Sequence, residues 1–249
     1  MPMPDLQAAI ASNPAWYHSI ELAPGVVTPG RVDLRKVAGR ILPGDLTGQR
    51  VLDVGTFDGF WAFEHEKRGA RVVAIDVEQL DAADWPPIHR ARLQQAAREM
   101  DIELGRGFHI AKEALGSQVE RVPCSVYDVT PDRVGGMVDR AFIGALLLHL
   151  RDPVGALEAV RGTLRPGGTL QVLEPIDVKL TLRHPRKPRA GFEVLSSEFT
   201  WWYPNLRALR GWLESAGFTG VRDRHISRPP GRMGMGGIVY AALTCTSPS

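Results

Sequence analysis

Residues 51–64 read Val-Leu-Asp-Val-Gly-Thr-Phe-Asp-Gly-Phe-Trp-Ala-Phe-Glu. An apolar strand runs into a turn bracketed by Gly55 and Gly59 and then into the first turn of a helix. Glycines at such a junction let the backbone approach a ligand closely, where the free N–H groups of a helix start point outward. The stretch therefore predicts the opening unit of a doubly wound α/β sheet, with a nucleotide-type pocket made by Asp53, Gly55, Thr56, Phe57, Asp58 and Gly59.

Spacing narrows the ligand. A dinucleotide fingerprint places three glycines as G-x-G-x-x-G to seat a pyrophosphate, whereas the order here is G-x-x-x-G with Asp58 inside the turn. A carboxylate repels a pyrophosphate and attracts an ammonium group, so the expected ligand is cationic. Further on, Arg71-Val-Val-Ala-Ile-Asp76 is a second apolar strand whose acidic end, followed by Val77, falls where a ribose-binding carboxylate belongs. A third candidate strand, Glu120 to Asp128, closes in Tyr127-Asp128, a pair suited to flanking an adenine and accepting from its exocyclic amine. Adenine, ribose and a cationic amino-acid tail together describe S-adenosylmethionine.

From Val51 to Ala242 the order of motifs resembles a class I S-adenosylmethionine-dependent methyltransferase: the glycine turn, the acidic end of strand two, the Tyr-Asp pair, Val138 to Leu150 followed by Arg151-Asp-Pro, then Arg165-Pro-Gly-Gly-Thr-Leu. Gly144-Ala145-Leu-Leu-Leu-His149, with Arg151 and Pro153, and Trp202-Tyr203-Pro204 before Leu206 to Ala216 resemble the branch that includes the tRNA wobble-uridine carboxymethyltransferases. That branch reads Tyr-His where this chain has Leu148-His149, and its tyrosine helps hold a carboxylated cofactor. The long amino-terminal part of those enzymes is expected to be missing. The resemblance thus implies ordinary S-adenosylmethionine as cofactor and a different acceptor.

Composition sets outer bounds. The 249 residues, 44% of them hydrophobic, suffice for one three-layer core. A net charge of +2 conceals 25 Arg and 5 Lys, nearly balanced by acids, so the whole chain is no polyanion-binding module. Cys124 and Cys245 are too few for a disulfide framework, and no apolar run approaches a membrane span or a signal segment. A cytoplasmic setting, no membrane partner, no metal site and a monomer or homodimer are expected. Met1 to Pro4 and Thr246 to Ser249 read as frayed ends.

Ahead of the sheet, Asp5 to Ser12 and Val32 to Ile41 are helix candidates, separated by Trp16-Tyr17-His18-Ser-Ile20 and the punctuation Pro24-Gly25 and Pro29-Gly30. Aromatic and polar residues between turns suit a lid over the pocket, formed by residues 1–47, with Tyr17 and His18 toward the acceptor. The alternative is that Trp16 and Ile20 pin the amino terminus to the sheet. Residues 48–249 then make the catalytic domain. After Asp76, Asp84-Trp-Pro-Pro precedes helices over 88–100 and 107–115, an insertion that lies either beside the adenosine half of the pocket or on the sheet edge.

Val138 to Leu148 is a near-continuous apolar run of the kind a central strand buried on both faces requires, and Pro153 to Leu164 is an amphipathic helix ended by Pro166-Gly-Gly before a strand over Thr169 to Leu173. Ligands of open α/β sheets sit beyond the carboxyl ends of the strands, which brings Gly144, Ala145, His149 and Glu174 to the pocket mouth. A histidine there can take the proton of an acceptor hydroxyl; the competing roles are a structural His149 and a base supplied by His18. The long segment from Glu174 to Phe199 carries Arg183-His-Pro-Arg-Lys-Pro-Arg189 and leads into Trp201, Trp202 and Tyr203. Its charges either grip an anion or are merely solvated, and its aromatics either wall an acceptor pocket or fill the core. Pro229 to Gly237 reads as a glycine-rich hairpin turn before a last strand over Ile238 to Thr244.

The sequence therefore predicts an α/β protein with a doubly wound, mostly parallel, seven-stranded Rossmann-like methyltransferase sheet, helices on both faces and an amino-terminal lid. Methyl transfer to a hydroxyl or amine of a small molecule or glycan leads; a tRNA-modifying methyl- or carboxymethyltransferase and a non-catalytic S-adenosylmethionine-binding partner protein are the alternatives. Nucleic acid is neither supported nor excluded.

Overall fold

The computed structural model describes residues 3–232 and 236–248. In chain order its elements are α1 (Met3–Ser12), β1 (Glu21–Ala23), β2 (Val26–Val27), α2 (Arg35–Ile41), β3 (Arg50–Val54), α3 (Phe60–Glu66), β4 (Arg71–Asp76), α4 (Pro87–Glu99), α5 (Arg106–Leu115), β5 (Glu120–Pro123), β6 (Val138–Gly144), α6 (Pro153–Thr163), β7 (Leu164–Pro175), α7 (Val178–Arg183), β8 (Ala190–Phe192), β9 (Trp202–Pro204), α8 (Leu206–Ser215), β10 (Thr219–Ser227) and β11 (Tyr240–Thr246). The central sheet has seven strands in the order β10-β11-β7-β6-β3-β4-β5. β5, β4, β3, β6 and β7 run parallel, and β11 and β10 close the far edge antiparallel. This is the predicted doubly wound sheet.

Alternation along each strand divides the core into two layers. Leu52, Val54, Val73, Ile75, Ile143, Val172 and Leu243 point to one face, where Leu157 and Val160 of α6 and Leu209 and Leu213 of α8 cover them. Ala74, Phe142, Leu173, Tyr240 and Ala242 point to the other, against Phe60, Trp61 and Phe63 of α3, Ala38 of α2 and Phe108 of α5. Both faces are thus covered by helices, as a parallel sheet demands.

The amino-terminal segment belongs to that second layer. Leu6, Ile10, Trp16, Ile20, Leu22, Val26 and Val32 are buried in the same cluster as Phe60 and Phe108. Gly30 shows how tightly the segment folds on itself: a Cβ there would lie 2.0 Å from the carbonyl carbon of His18.

Four local expectations change. The third strand stops at Pro123, and a short 3-10 turn over Val126–Asp128 follows, with the Ser125 side chain accepting from the Tyr127 N–H. β7 begins at Leu164 and absorbs Arg165-Pro-Gly-Gly, because Gly167 takes a left-handed φ of 76° and Gly167 and Gly168 exchange backbone hydrogen bonds with Ser247. That pairing also orders Thr246 and Ser247, which the sequence suggests are frayed; Met1, Pro2 and Ser249 lie outside the described residues. The glycine-rich turn reaches back to the amino-terminal segment, where the Arg232 N–H donates to the Arg31 carbonyl and the Asp33 N–H to that of Pro230; residues 233–235 lie outside the described residues.

Candidate active site

The turn after β3 is held by strand ends on both sides. The Gly55 and Thr56 N–H groups donate to the Ile75 carbonyl at 2.9 and 3.1 Å. Asp76 completes the tie: its Oδ2 accepts from the Phe57 N–H at 2.7 Å and its Oδ1 from the Val77 N–H at 2.8 Å. Phe57 can reach that carboxylate because it adopts a φ of 50°, rare for a side-chain-bearing residue.

The two glycines of the turn serve packing. A Cβ on Gly59 would lie 2.3 Å from the Phe63 ring and 2.8 Å from that of Phe108, and one on Gly55 would meet the Leu146 side chain at 3.0 Å. Gly144 plays the same part for Trp61, whose Nε1 would lie 2.7 Å from a Cβ there. The next residue, Ala145, bends away at a φ of 51° with its N–H bonded to the Leu173 carbonyl.

Three carboxylates meet at this end of the sheet. Asp58 is spoken for: its Oδ2 accepts from the Tyr17 and His18 N–H groups at 3.0 and 2.7 Å, and its Oδ1 pairs with His18 Nδ1 at 2.5 Å. The His18 ring stacks on Phe60, and Tyr17 stands perpendicular to it. Asp53, by contrast, is buried, and neither its Oδ2 nor the Thr56 Oγ1 has a partner within hydrogen-bonding geometry among the described residues, although the Thr56 hydroxyl and the Ala62 N–H stand near enough to favour the ionised carboxylate. Burial pushes the Asp53 carboxyl up to about 7, and the neighbouring Asp76 charge adds to the rise. Burial also raises Asp76.

A buried, unpartnered carboxylate oxygen beside two more acids is an arrangement that a cation completes. The sulfonium and ammonium groups of S-adenosylmethionine fit that demand, and Asp76 stands at the strand end suited to a ribose diol. The residues present thus fit the cofactor that the motif order implies.

A second group of residues lines the carboxyl ends of β6 and β7. The His149 Nδ1 donates to the Phe199 carbonyl at 2.7 Å, which puts the proton on Nδ1 and leaves the Nε2 lone pair available. Burial lowers its pKa, so the ring is neutral. The Trp201 N–H donates to the Leu148 carbonyl and its indole Nε1 to that of Asp84 at 2.6 Å, while the Arg151 guanidinium lies over the ring. Trp201 is buried; Trp202, half-buried, donates from Nε1 to the Arg151 carbonyl, and Tyr203 lies opposite Gly191 in the β8–β9 ribbon. Tyr127 is exposed. Its hydroxyl donates to Asp84 Oδ2 at 2.8 Å and accepts from the Asp152 N–H, while Asp128 is exposed beside it.

The structure therefore brings Tyr17, His18, Asp53, Thr56, Phe57, Asp58, Asp76 and Val77 into one cluster and gathers His149 with Trp201 and Trp202 around residues 84 and 151. Two residues organise these groups: Asp84, to which the sequence assigns no role, and Glu174, which the strand-end rule places at the pocket mouth. Asp84 accepts from Tyr127, from the Arg151 N–H and from the Arg151 guanidinium, joining the insertion to the aromatic wall. Glu174 is buried, with Oε1 accepting from the Leu146 and Leu147 N–H groups, and burial raises its carboxyl to about 8.

Comparison with known proteins agrees with this geometry. A family model described as a methyltransferase domain matches residues 31–222. Among curated proteins, the tRNA U34 carboxymethyltransferase of Chromohalobacter salexigens is 31% identical over 189 residues, covering 76% of this chain and 49% of that protein. The chain spans about half the length of the curated relatives it matches. Among solved structures, the Burkholderia thailandensis 1,6-didemethyltoxoflavin-N1-methyltransferase, bound to S-adenosylhomocysteine, superposes with a TM-score of 0.51 at 19% identity, covering 87% of this chain and 75% of that one. The N-methyltransferase NodS of Bradyrhizobium japonicum, also with S-adenosylhomocysteine, gives 0.52 at 12% identity over 86% of this chain and 87% of its own. No helix among the described residues is long and apolar enough to cross a membrane. The chain belongs to the methyltransferase-domain family and has the Rossmann-like sheet of S-adenosylmethionine-dependent methyltransferases.

Proposed function

We propose that the chain transfers a methyl group from S-adenosylmethionine to a hydroxyl or amine of a small molecule or glycan. The observation that carries this reading is the partnerless Oδ2 of Asp53 at the carboxyl end of β3, an acid awaiting a cation in a methyltransferase-domain fold. Asp53 and Thr56 take the amino-acid end of the cofactor, Asp76 the ribose, and Tyr127 and Asp128 flank the adenine. Asp58 acts at one remove, by fixing His18 and Tyr17 over the turn. When bound, the cofactor supplies an electrophilic methyl group on a sulfonium.

The acceptor must be held in line and, if it is a hydroxyl, lose a proton. His149 supports that role because its Nδ1–H is committed to a carbonyl, which leaves the Nε2 lone pair free to accept a proton. His18 is the second candidate, oriented through Nδ1 by Asp58. Trp201, Trp202 and Tyr203 supply aromatic surface for the acceptor on the His149 side.

The names of the curated relatives favour a second reading, modification of tRNA. Against its carboxymethyl form stands Leu148, an aliphatic side chain with no hydrogen-bonding group. Calorimetric titration with S-adenosylmethionine, followed by labelled methyl transfer to fractionated extract with and without nuclease, separates the readings. Nuclease-resistant transfer supports the small acceptor, nuclease-sensitive transfer moves the assignment to RNA, and absence of binding overturns both.

A further inference from the structure

The twelve residues from Val178 to Arg189 read Val-Lys-Leu-Thr-Leu-Arg-His-Pro-Arg-Lys-Pro-Arg and contain five cations and no acid. Elsewhere in the chain some cations are matched, as in Arg35 with Asp33, Arg68 with Glu64, Arg165 with Asp139 and Arg210 with Asp223. None of Lys179, Arg183, Arg186, Lys187 and Arg189 forms an ion pair among the described residues, and all five are exposed.

The run has a fixed shape. Asn205, fully buried, donates from Nδ2 to the carbonyls of His184 and Lys187 at 3.1 and 3.0 Å, and its Oδ1 accepts from the Arg189 N–H while capping α8 at Ala208. A loop needed only for solubility has no call for such a buried bracket.

The helix beneath the loop adds an apolar feature that charge alone leaves unexplained. Val178 and Leu182 lie one turn apart on α7, on one face, and both are exposed, Leu182 at 77%. Lys179 and Arg183 stand beside them at the same spacing. Leu195, at 85%, is a further exposed leucine in the segment that follows. A phosphodiester backbone or a free phosphate would engage the cations and give no reason for aliphatic side chains in water. An anionic bilayer engages both, with lipid phosphates on the basic groups and the aliphatic side chains at the acyl boundary.

We propose that residues 178–189 form a docking surface for an anionic lipid bilayer, with Val178 and Leu182 entering the headgroup boundary and the five cations holding lipid phosphates. Such peripheral attachment needs no spanning helix. α7 begins three residues after the end of β7, so the docked surface lies at the carboxyl end of the sheet, where the ligand crevice opens.

Sedimentation of the full chain with vesicles tests this without reference to methyl transfer. The protein pellets with phosphatidylglycerol-containing vesicles and stays in solution with phosphatidylcholine alone, and raising salt releases it. Replacing Arg183, Arg186, Lys187 and Arg189 by alanine weakens partitioning by about fivefold per charge. Leu182→Gln, which preserves charge, weakens it by about tenfold, and circular dichroism shows each variant folded. Parent protein that ignores anionic vesicles, or Leu182→Gln that binds them as the parent does, overturns the proposal. So does single-stranded RNA that displaces the vesicles and binds the parent and Leu182→Gln equally.

Discussion

His18 Nδ1 lies 2.5 Å from Asp58 Oδ1, and the same carboxylate accepts the backbone N–H groups of residues 17 and 18. One buried side chain in the glycine turn thereby fastens the amino-terminal segment over the carboxyl end of β3. Leaving a buried hydrogen-bonding group without its partner costs about 1–3 kcal/mol. Asp58→Asn is expected to lose that much in urea unfolding and to become protease-sensitive within the first thirty or so residues. Equal stability of variant and parent would show that packing of Trp16 and Ile20 holds the segment unaided.

Asp53 gives the cofactor site a pH signature. Its carboxyl is raised to about 7 by burial, while a cationic ligand requires the ionised form. Affinity for S-adenosylmethionine should therefore rise by up to about tenfold per pH unit below 7 and level off above it, with a proton released on binding at pH 6. Calorimetry in buffers of different ionisation enthalpy reads both quantities. Asp53→Asn should bind more weakly and with a flat pH profile; a profile as steep as the parent's would place the titration elsewhere.

The fold was legible because its signals are local. The apolar run ending in Asp53, the acidic end of β4 and the glycine turn are each contained in a few residues, and periodicity of two is enough to orient them. The site was legible only in part, because its ties are distant in sequence. Asp58 looks like a ligand for an ammonium group until its partner, forty residues upstream, is seen to occupy it. Gly59 looks like a ligand-approach glycine, yet what crowds it are the rings of Phe63 and Phe108. Nothing in Asp84-Trp-Pro-Pro announces that Asp84 joins Tyr127, Arg151 and, through its carbonyl, Trp201. Pro166-Gly-Gly is helix-stopping punctuation by any local rule, and only pairing with Ser247 keeps it inside a strand.

Gly30 is a position where steric room, not flexibility, is decisive. Its φ is ordinary, so alanine is conformationally permitted, but the new methyl would sit 2.0 Å from the His18 carbonyl carbon and 2.2 Å from the Ser19 nitrogen. Backbone cannot yield as a side chain does. Gly30→Ala is expected to cost about 3 kcal/mol or more and to reduce soluble yield, whereas Gly44→Ala, with open space around the added carbon, should be nearly neutral. Thermal melts of the two variants side by side make the comparison.

Glu174 adds a dependence of stability on pH whose sign follows from its burial. In the unfolded chain the carboxyl ionises near its ordinary value of 4.5, while in the fold it holds its proton up to about 8. Between those limits the native state binds more protons, so stability is greatest below the unfolded pKa and declines as pH rises toward 8. Asp53 contributes a decline of the same sign that fades above about 7. Above 7 Glu174 is the larger contributor: there the cofactor-free parent should continue to lose up to about 1.4 kcal/mol per unit, and Glu174→Gln should decline less steeply than the parent. Urea unfolding at pH 7.0, 7.5 and 8.0 reads the slopes. A parent already flat across this window would mean that Glu174 is ionised in the fold, with its charge held by the Leu146 and Leu147 N–H groups alone.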